Sequence, residues 1–226
     1  MAFPVIENTG SYTNTGSANH TVTLPTGIVA GELLVLIMCT DGNPIFTPPS
    51  GWATGPTVKL TGAVHPAFSI MFKTAAGSDS DPVVVLSTSE SMAAITLRIS
   101  ATDGLRFGGI NQVNGATTPP LLPIQMESSD DYLFMACTFN DNSANTAVTG
   151  YPTNYSSNNL FIEDGTSSGC GVGFASRNLT ATGDDPDNFT YDVGEQTLNL
   201  MMVAIPAAAA GGGAAASSNM TGGLLC

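Results

Sequence analysis

Leu33-Leu34-Val35-Leu36-Ile37-Met38-Cys39-Thr40, followed by Asp41-Gly42-Asn43, is the stretch whose reading decides the fold. It is apolar without interruption from Leu33 to Cys39, too short to demand a helix, and closed by a turn. A run of this kind reads as a central β-strand buried on both sides. A loose echo follows in Tyr132-Leu133-Phe134-Met135-Ala136-Cys137-Thr138 and Asn140-Asp141-Asn142. Each run has a turn with Pro, Gly and an aromatic about ten residues later: Pro49-Ser50-Gly51-Trp52, then Gly150-Tyr151-Pro152. Phe72-Lys73 leads to Gly77-Ser78-Asp79-Ser80-Asp81-Pro82, as Phe174 and Arg177 lead to Gly183-Asp184-Asp185-Pro186. Each half closes on a long alternating segment, Ser91 to Ser100 and Gln196 to Ile205. A period of about 100 residues is too long for a solenoid. It suits one sandwich of two similar strand sets.

Outward from these runs, strand signals are frequent and helical ones nearly absent. The pattern predicts strands at 3–7, 20–24, 33–40, 57–60, 67–73, 83–87 and 92–100. In the second half it predicts 109–113, 132–139, 160–163, 170–176, 188–191 and 196–205. The segment from Gln112 to Pro123, with Thr117-Thr118-Pro119-Pro120, reads as the crossover between halves. The expected fold is all-β: an antiparallel β-sandwich or jelly roll over residues 1–206. Its pseudo-repeated halves are placed at about 15–105 and 112–206, followed by an irregular Ala/Gly-rich arm at 207–226. Each half supplies too few strands to cover both faces of its own sheet, so the halves are expected to share a core.

Composition narrows the function. Hydrophobic residues make up 42% of the 226 residues, enough for a substantial interior, whereas charged residues are only 10%. Soluble domains average about 25% charged residues. The exterior must therefore consist mainly of Thr, Ser, Asn and Gly. The net charge is −13, and only Lys59, Lys73, Arg98, Arg106 and Arg177 are positive. Five scattered cations form no phosphate-binding patch and no attachment to an anionic bilayer. Nucleic acid and membrane are accordingly not expected as partners. No stretch of about 18 apolar residues spans a membrane. Met1 to Glu7 has neither the basic start nor the apolar run of a secretory signal, so folding in a cytoplasm is expected. Cys39 and Cys137 then read as small buried hydrophobes and not as disulfide partners.

Catalytic and metal patterns are thin. His20 opens an alternating strand and His65 precedes Pro66; neither has a triad-like setting. No zinc spacing occurs, and Gly169-Cys170-Gly171-Val172-Gly173 lacks the Lys and the helix of a phosphate loop. Asp184, Asp185 and Asp187, with Asn188, form an acidic turn whose hard oxygens suit Ca²⁺; Asp79 and Asp81 form another. Neither has EF-hand spacing, and Asp and Asn populate turns for conformational reasons alone. No cofactor is expected. Glu32, Glu90, Glu127, Glu163 and Glu195 are the carboxylates from which a glycosidase pair would be drawn. Glu90 and Glu195 hold corresponding positions in the two halves, which repetition explains better than catalysis. Trp52, Tyr151 and Tyr155 sit in the turns and have the faces to stack a sugar ring.

The Ala207–Ser218 stretch cannot build a core, but Met220, Leu224 and Leu225 are apolar again. These three side chains are the expected contacts with a partner chain, and Cys226 is expected as a free thiol.

Taken in order, Leu24-Pro25 with Gly31-Glu32-Leu33-Leu34, Pro49-Ser50-Gly51-Trp52, Lys73-Thr74-Ala75-Ala76-Gly77 and Asp81-Pro82 resemble the β-sandwich virion structural proteins of tailed bacteriophages. Tyr151-Pro152-Thr153-Asn154-Tyr155, Gly169 to Gly173 and Asp185-Pro186 extend the resemblance over about residues 15–206. It implies a component of the virus particle, located in the virion, with no catalytic residues to carry over. Within that class a capsid decoration or cement protein is expected, docked on the major capsid protein or on neighbouring copies as a homo-oligomer; a trimer would suit a quasi-threefold seat. A tail-fibre or receptor-binding, lectin-like protein is the alternative, and a carbohydrate-active jelly-roll enzyme the second.

Overall fold

The computed structural model describes residues 2–59, 66–142, 147–163 and 169–207. Met220, Leu224, Leu225, His65 and Cys226 lie outside the described residues. The described chain is all-β. Its strands are β1 (Val5–Thr21), β2 (Leu33–Thr40), β3 (Phe46–Thr47), β4 (Ala53–Lys59), β5 (Ala67–Thr74), β6 (Val83–Ser100) and β7 (Thr102–Ala116). They continue with β8 (Ile124–Asn142), β9 (Val148–Gly150), β10 (Ser157–Glu163), β11 (Gly169–Asp184), β12 (Thr190–Tyr191) and β13 (Glu195–Pro206).

One antiparallel sheet runs β1-β6-β2-β5-β4 and the other β7-β13-β8-β11-β10. With the short strands β3, β9 and β12 set aside, each sheet reads first-fifth-second-fourth-third along its own half of the chain. The two packed antiparallel sheets make a jelly-roll-like sandwich in which each sheet is drawn from one half. Leu33–Thr40 lies between β5 and β6 and is buried at every position. That is the consequence of its unbroken apolar run. Alternation sends Val35, Ile37 and Cys39 inward to meet Met135, Cys137 and Phe139 of the facing sheet. Leu34, Leu36 and Met38 point the other way, into a second apolar layer with Val22, Phe46, Val84 and Leu86. The far sheet has its own outer layer, where Tyr132, Phe134 and Ala136 pack with Tyr155, Phe189 and Tyr191. Each sheet is therefore buried on both faces along its centre, its outer face covered by short ribbons and turns. This accounts for so high an apolar fraction in a chain with so few charged residues. A large side chain fully buried this way contributes about 1.5–3 kcal/mol.

The edges depart from the sequence expectation. β1 is a single strand from Val5 to Thr21, not two short ones, and it is bulged at three places along β6. β6 likewise unites the expected 83–87 and 92–100 segments. The crossover between halves expected at 112–123 is misplaced: β7 pairs with β13 as far as Ala116, and 117–123 only joins β7 to β8 within one sheet, so the second half begins at Thr102. Ser100 and Thr102 are separated only by Ala101, at φ 53°, so the chain passes between sheets in a tight turn.

His20 on β1 is fully buried. Its Nε2 donates to the Ser17 carbonyl at 2.8 Å, and its Nδ1 accepts from the Tyr12 hydroxyl at 3.2 Å. A carbonyl only accepts, so Nε2 carries a proton, and in the neutral ring that burial favours Nδ1 is left as the acceptor. Burial holds the His20 pKa below its ordinary value, partly countered by the Ser17 and Glu90 backbone. A depressed folded pKa means that the unfolded chain binds the proton more readily. Stability should be full above about pH 6.5 and fall as acidification proceeds through the folded pKa, with a slope of at most about 1.4 kcal/mol per pH unit. Urea midpoints of wild type and His20→Gln between pH 7.5 and 4.5 check this: the difference between them should narrow on acidification.

Candidate functional site

Two clamps of similar make-up tie the aromatic turns to the sheets. In the first, the Lys73 ammonium at the end of β5 lies 5.9 Å from the Trp52 ring centroid and 2.5 Å from Asp79 Oδ1. Asp79 also accepts from the Ala76 and Gly77 amides, at 2.7 and 3.1 Å. Lys73 above all, helped by these amides, holds the carboxyl below its usual range. In the second, the Arg177 guanidinium of β11 lies 5.0 Å from the Tyr155 ring centroid, and its Nε donates to Asp184 Oδ2 at 2.8 Å. Arg177 Nη2 donates to Asp184 Oδ1, and the Tyr155 hydroxyl donates to Oδ2. Tyr155 is buried, and that burial, reinforced by Asp184, pushes its phenol pKa far up.

This geometry separates the residues singled out by sequence. Trp52 packs half-buried on the outer layer of the first sheet. Tyr151 and Tyr155 belong to the outer layer of the second, with Tyr151 edge-on to Phe189 at 5.9 Å. The three aromatics therefore lie on opposite faces of the sandwich, and Tyr155 has no face open to a sugar. In the acidic turn, Asp184 is committed to Arg177 and Tyr155, while Asp185 and Asp187 are exposed. Among the described residues no three His, Cys, Asp or Glu side chains come together as metal ligands.

The candidate carboxylates are dispersed as well. Glu32 pairs with Arg98 Nε at 3.2 Å and accepts from the Val29 amide; Glu90 accepts from Thr88 at 2.9 Å. Glu127 is an exposed partner of Arg106 at 3.6 Å, and Glu163 lies on β10. Cys39, Cys137 and Cys170 are buried and in no disulfide, and burial pushes the Cys137 thiol far up, leaving it unreactive.

Two of the open features of the surface could receive a partner. A polar cleft of about 390 Å³ runs beside Trp52, lined by Ser50, Lys73, Ser78, Asp79 and Asp81. A larger groove of about 510 Å³ opens on the flank where the β4 and β7 edges face each other; Leu33, Ala53, Phe72, Leu105 and Ile205 give it apolar walls, and Lys73, Thr74 and Asp103 also line it. Deeper along this flank, Phe107 crosses from β7 to meet Phe72 at 6.0 Å. There Gly55 leaves the room: a Cβ would fall 2.8 Å from the Phe107 ring. The groove begins where the described chain leaves the sandwich, with the Ala207 amide bonded to the Ala101 carbonyl at 2.9 Å. Sequence reading did not find this groove, because its walls come from five strands far apart in the chain. No family model matches the chain, and no curated protein or solved structure matches it.

Proposed function

We propose that this chain is a structural protein of a tailed-bacteriophage virion, working as a capsid decoration or cement protein that docks on the shell. The observation that carries the reading is the groove between the β4 and β7 edges, with apolar walls bordered by Lys73 and Asp103, set in a surface with few charges. It is a place where a partner gains by contact, on a protein with five basic residues to attract polyanions. The partner is the major capsid protein or a neighbouring copy of this chain, and the working location is the particle. Scarce charge suits such a surface, because little has to be desolvated when docking buries it.

Copy number tests the assignment. Quantified gels of purified particles should show the protein in numbers comparable to the shell subunits, whereas a tail-tip component would be present in only a few copies. The groove is tested by Ala53→Arg. Ala53 is exposed on an edge strand, so the fold should tolerate the change, while the long cation obstructs the groove. Particle association should weaken at least about tenfold, with the thermal midpoint nearly unchanged. Wild-type loading by the variant would remove the groove from the reading.

A second reading, a tail-fibre or receptor-binding head, is favoured by the Trp52 cleft, where hydroxyls and carboxylates border a half-exposed indole. Trp52 is the single tryptophan of the chain, so its fluorescence reports the cleft directly. Saturable quenching or enhancement by a host glycan would support this reading over decoration.

A further inference from the structure

On the outer face of the second sheet, beyond the apolar layer around Phe134 and Ala136, the registers place two rows of residues side by side. One row is Phe161, Gly173, Thr138, Asn199 and Asn111; the next is Glu163, Gly171, Asn140, Thr197 and Val113. Thr138, Asn140, Thr197 and Asn199 are fully buried. Thr138 Oγ1 is bonded to the Tyr191 hydroxyl at 2.6 Å. Both polar atoms of Asn140, both of Asn199 and Oγ1 of Thr197 have no hydrogen-bond partner. The ribbon formed by β9 and β12 reaches this strip at the Thr138–Gly173 row, through Tyr191 and Val148. Gly171 keeps the space beside Asn140 open, since a Cβ there would fall 2.2 Å from Asn140 Oδ1.

Leaving a buried polar group without a bond is costly, and five such atoms in one place point to a ligand. We propose that this seam is a hydration site, in which ordered water joins Asn140, Thr197 and Asn199 and couples the β9–β12 cover to the sheet. The chemistry of the atoms selects water. Two carboxamides and a hydroxyl present donors and acceptors in nearly equal measure, and water satisfies both. A metal cation would engage the oxygens but leave two amide NH₂ groups facing positive charge. Glu163, the one carboxylate at the end of the rows, already has a partner. Asn140 and Asn199 are cross-strand diagonal neighbours, roughly 7–8 Å apart at the backbone, a span that one or two waters bridge.

Water-selective NMR on the full chain, with the side-chain amides of Asn140 and Asn199 assigned, tests the site. The expected result is direct cross-relaxation from both NH₂ groups to water, with the sign of a residence time longer than molecular tumbling. An absence of water contact at both amides would overturn the proposal. So would a saturable shift of these amides with Na⁺, K⁺ or Ca²⁺ at fixed ionic strength that one cation produces and the others do not, since that result assigns the seam to a cation.

Discussion

Replacing Asp184 with alanine should destabilise the protein by about 3–5 kcal/mol, seen as a lowered urea midpoint. The carboxylate is almost fully buried, its side chain 3% exposed, and it faces two donor side chains at once. Arg177 engages it through Nε and Nη2, and Tyr155 through its hydroxyl. Removing the acceptor strands a guanidinium that is itself only 21% exposed, together with a buried phenol. The cost is the desolvation of both groups without compensation, which is why it exceeds the value of a surface ion pair, about 0–1 kcal/mol. Asp184→Asn provides the control: the amide oxygen still accepts, so its loss should be smaller than that of Asp184→Ala. Equal losses would mean that packing, not the bond network, sets the cost.

The same cluster shows where sequence reading stops. Asp184, Asp185 and Asp187 are alike as letters in a turn, and Tyr151 and Tyr155 are alike as turn aromatics. Only the closing of the turn onto β11 sends Asp184 and Tyr155 inward to Arg177 and leaves the others further out. The centre of the fold was more legible. Leu33–Thr40 is buried at every position because a strand with neighbours on both sides and layers over both faces needs no polar residue. The edges were not legible for the opposite reason. From Thr9 to Asn19, β1 carries mostly Thr, Ser, Asn and Gly, its backbone pairs on one side only, and bulges break its alternation. The strip of Thr138, Asn140, Thr197 and Asn199 was misleading in a subtler way. These polar residues alternate with Phe139 and Leu198 as residues of a solvated face would, and nothing local reveals that all four are buried, with a two-stranded ribbon from elsewhere in the chain reaching them at Thr138.

Phe139→Ala should cost about 3–5 kcal/mol, and its thermal or urea transition should remain single. Phe139 on β8 stacks on Phe68 of β5 with centroids 4.3 Å apart and planes 8° from parallel, and both rings are fully buried. One ring comes from each half of the chain, so their contact lies across the interior where the two sheets meet. Removing a ring leaves a void that neighbours such as Val172 and Leu198, held in their own registers, fill only in part. Phe68→Ala should cost a similar amount, and the double variant less than the sum of the two. The shortfall measures the ring–ring interaction, about 0.5–1.5 kcal/mol beyond the area buried. The shape of the transition matters as much as its midpoint. Each sheet has its own outer apolar layer, yet the inner layer is built jointly, with Val35, Ile37 and Ile95 against Met135, Phe174 and Leu200. If that joint layer makes the sandwich one cooperative unit, damage at Phe139 destabilises β1–β6 as much as β7–β13, and all probes report one shifted curve. A second transition appearing in Phe139→Ala would show instead that each half stands on its own outer layer.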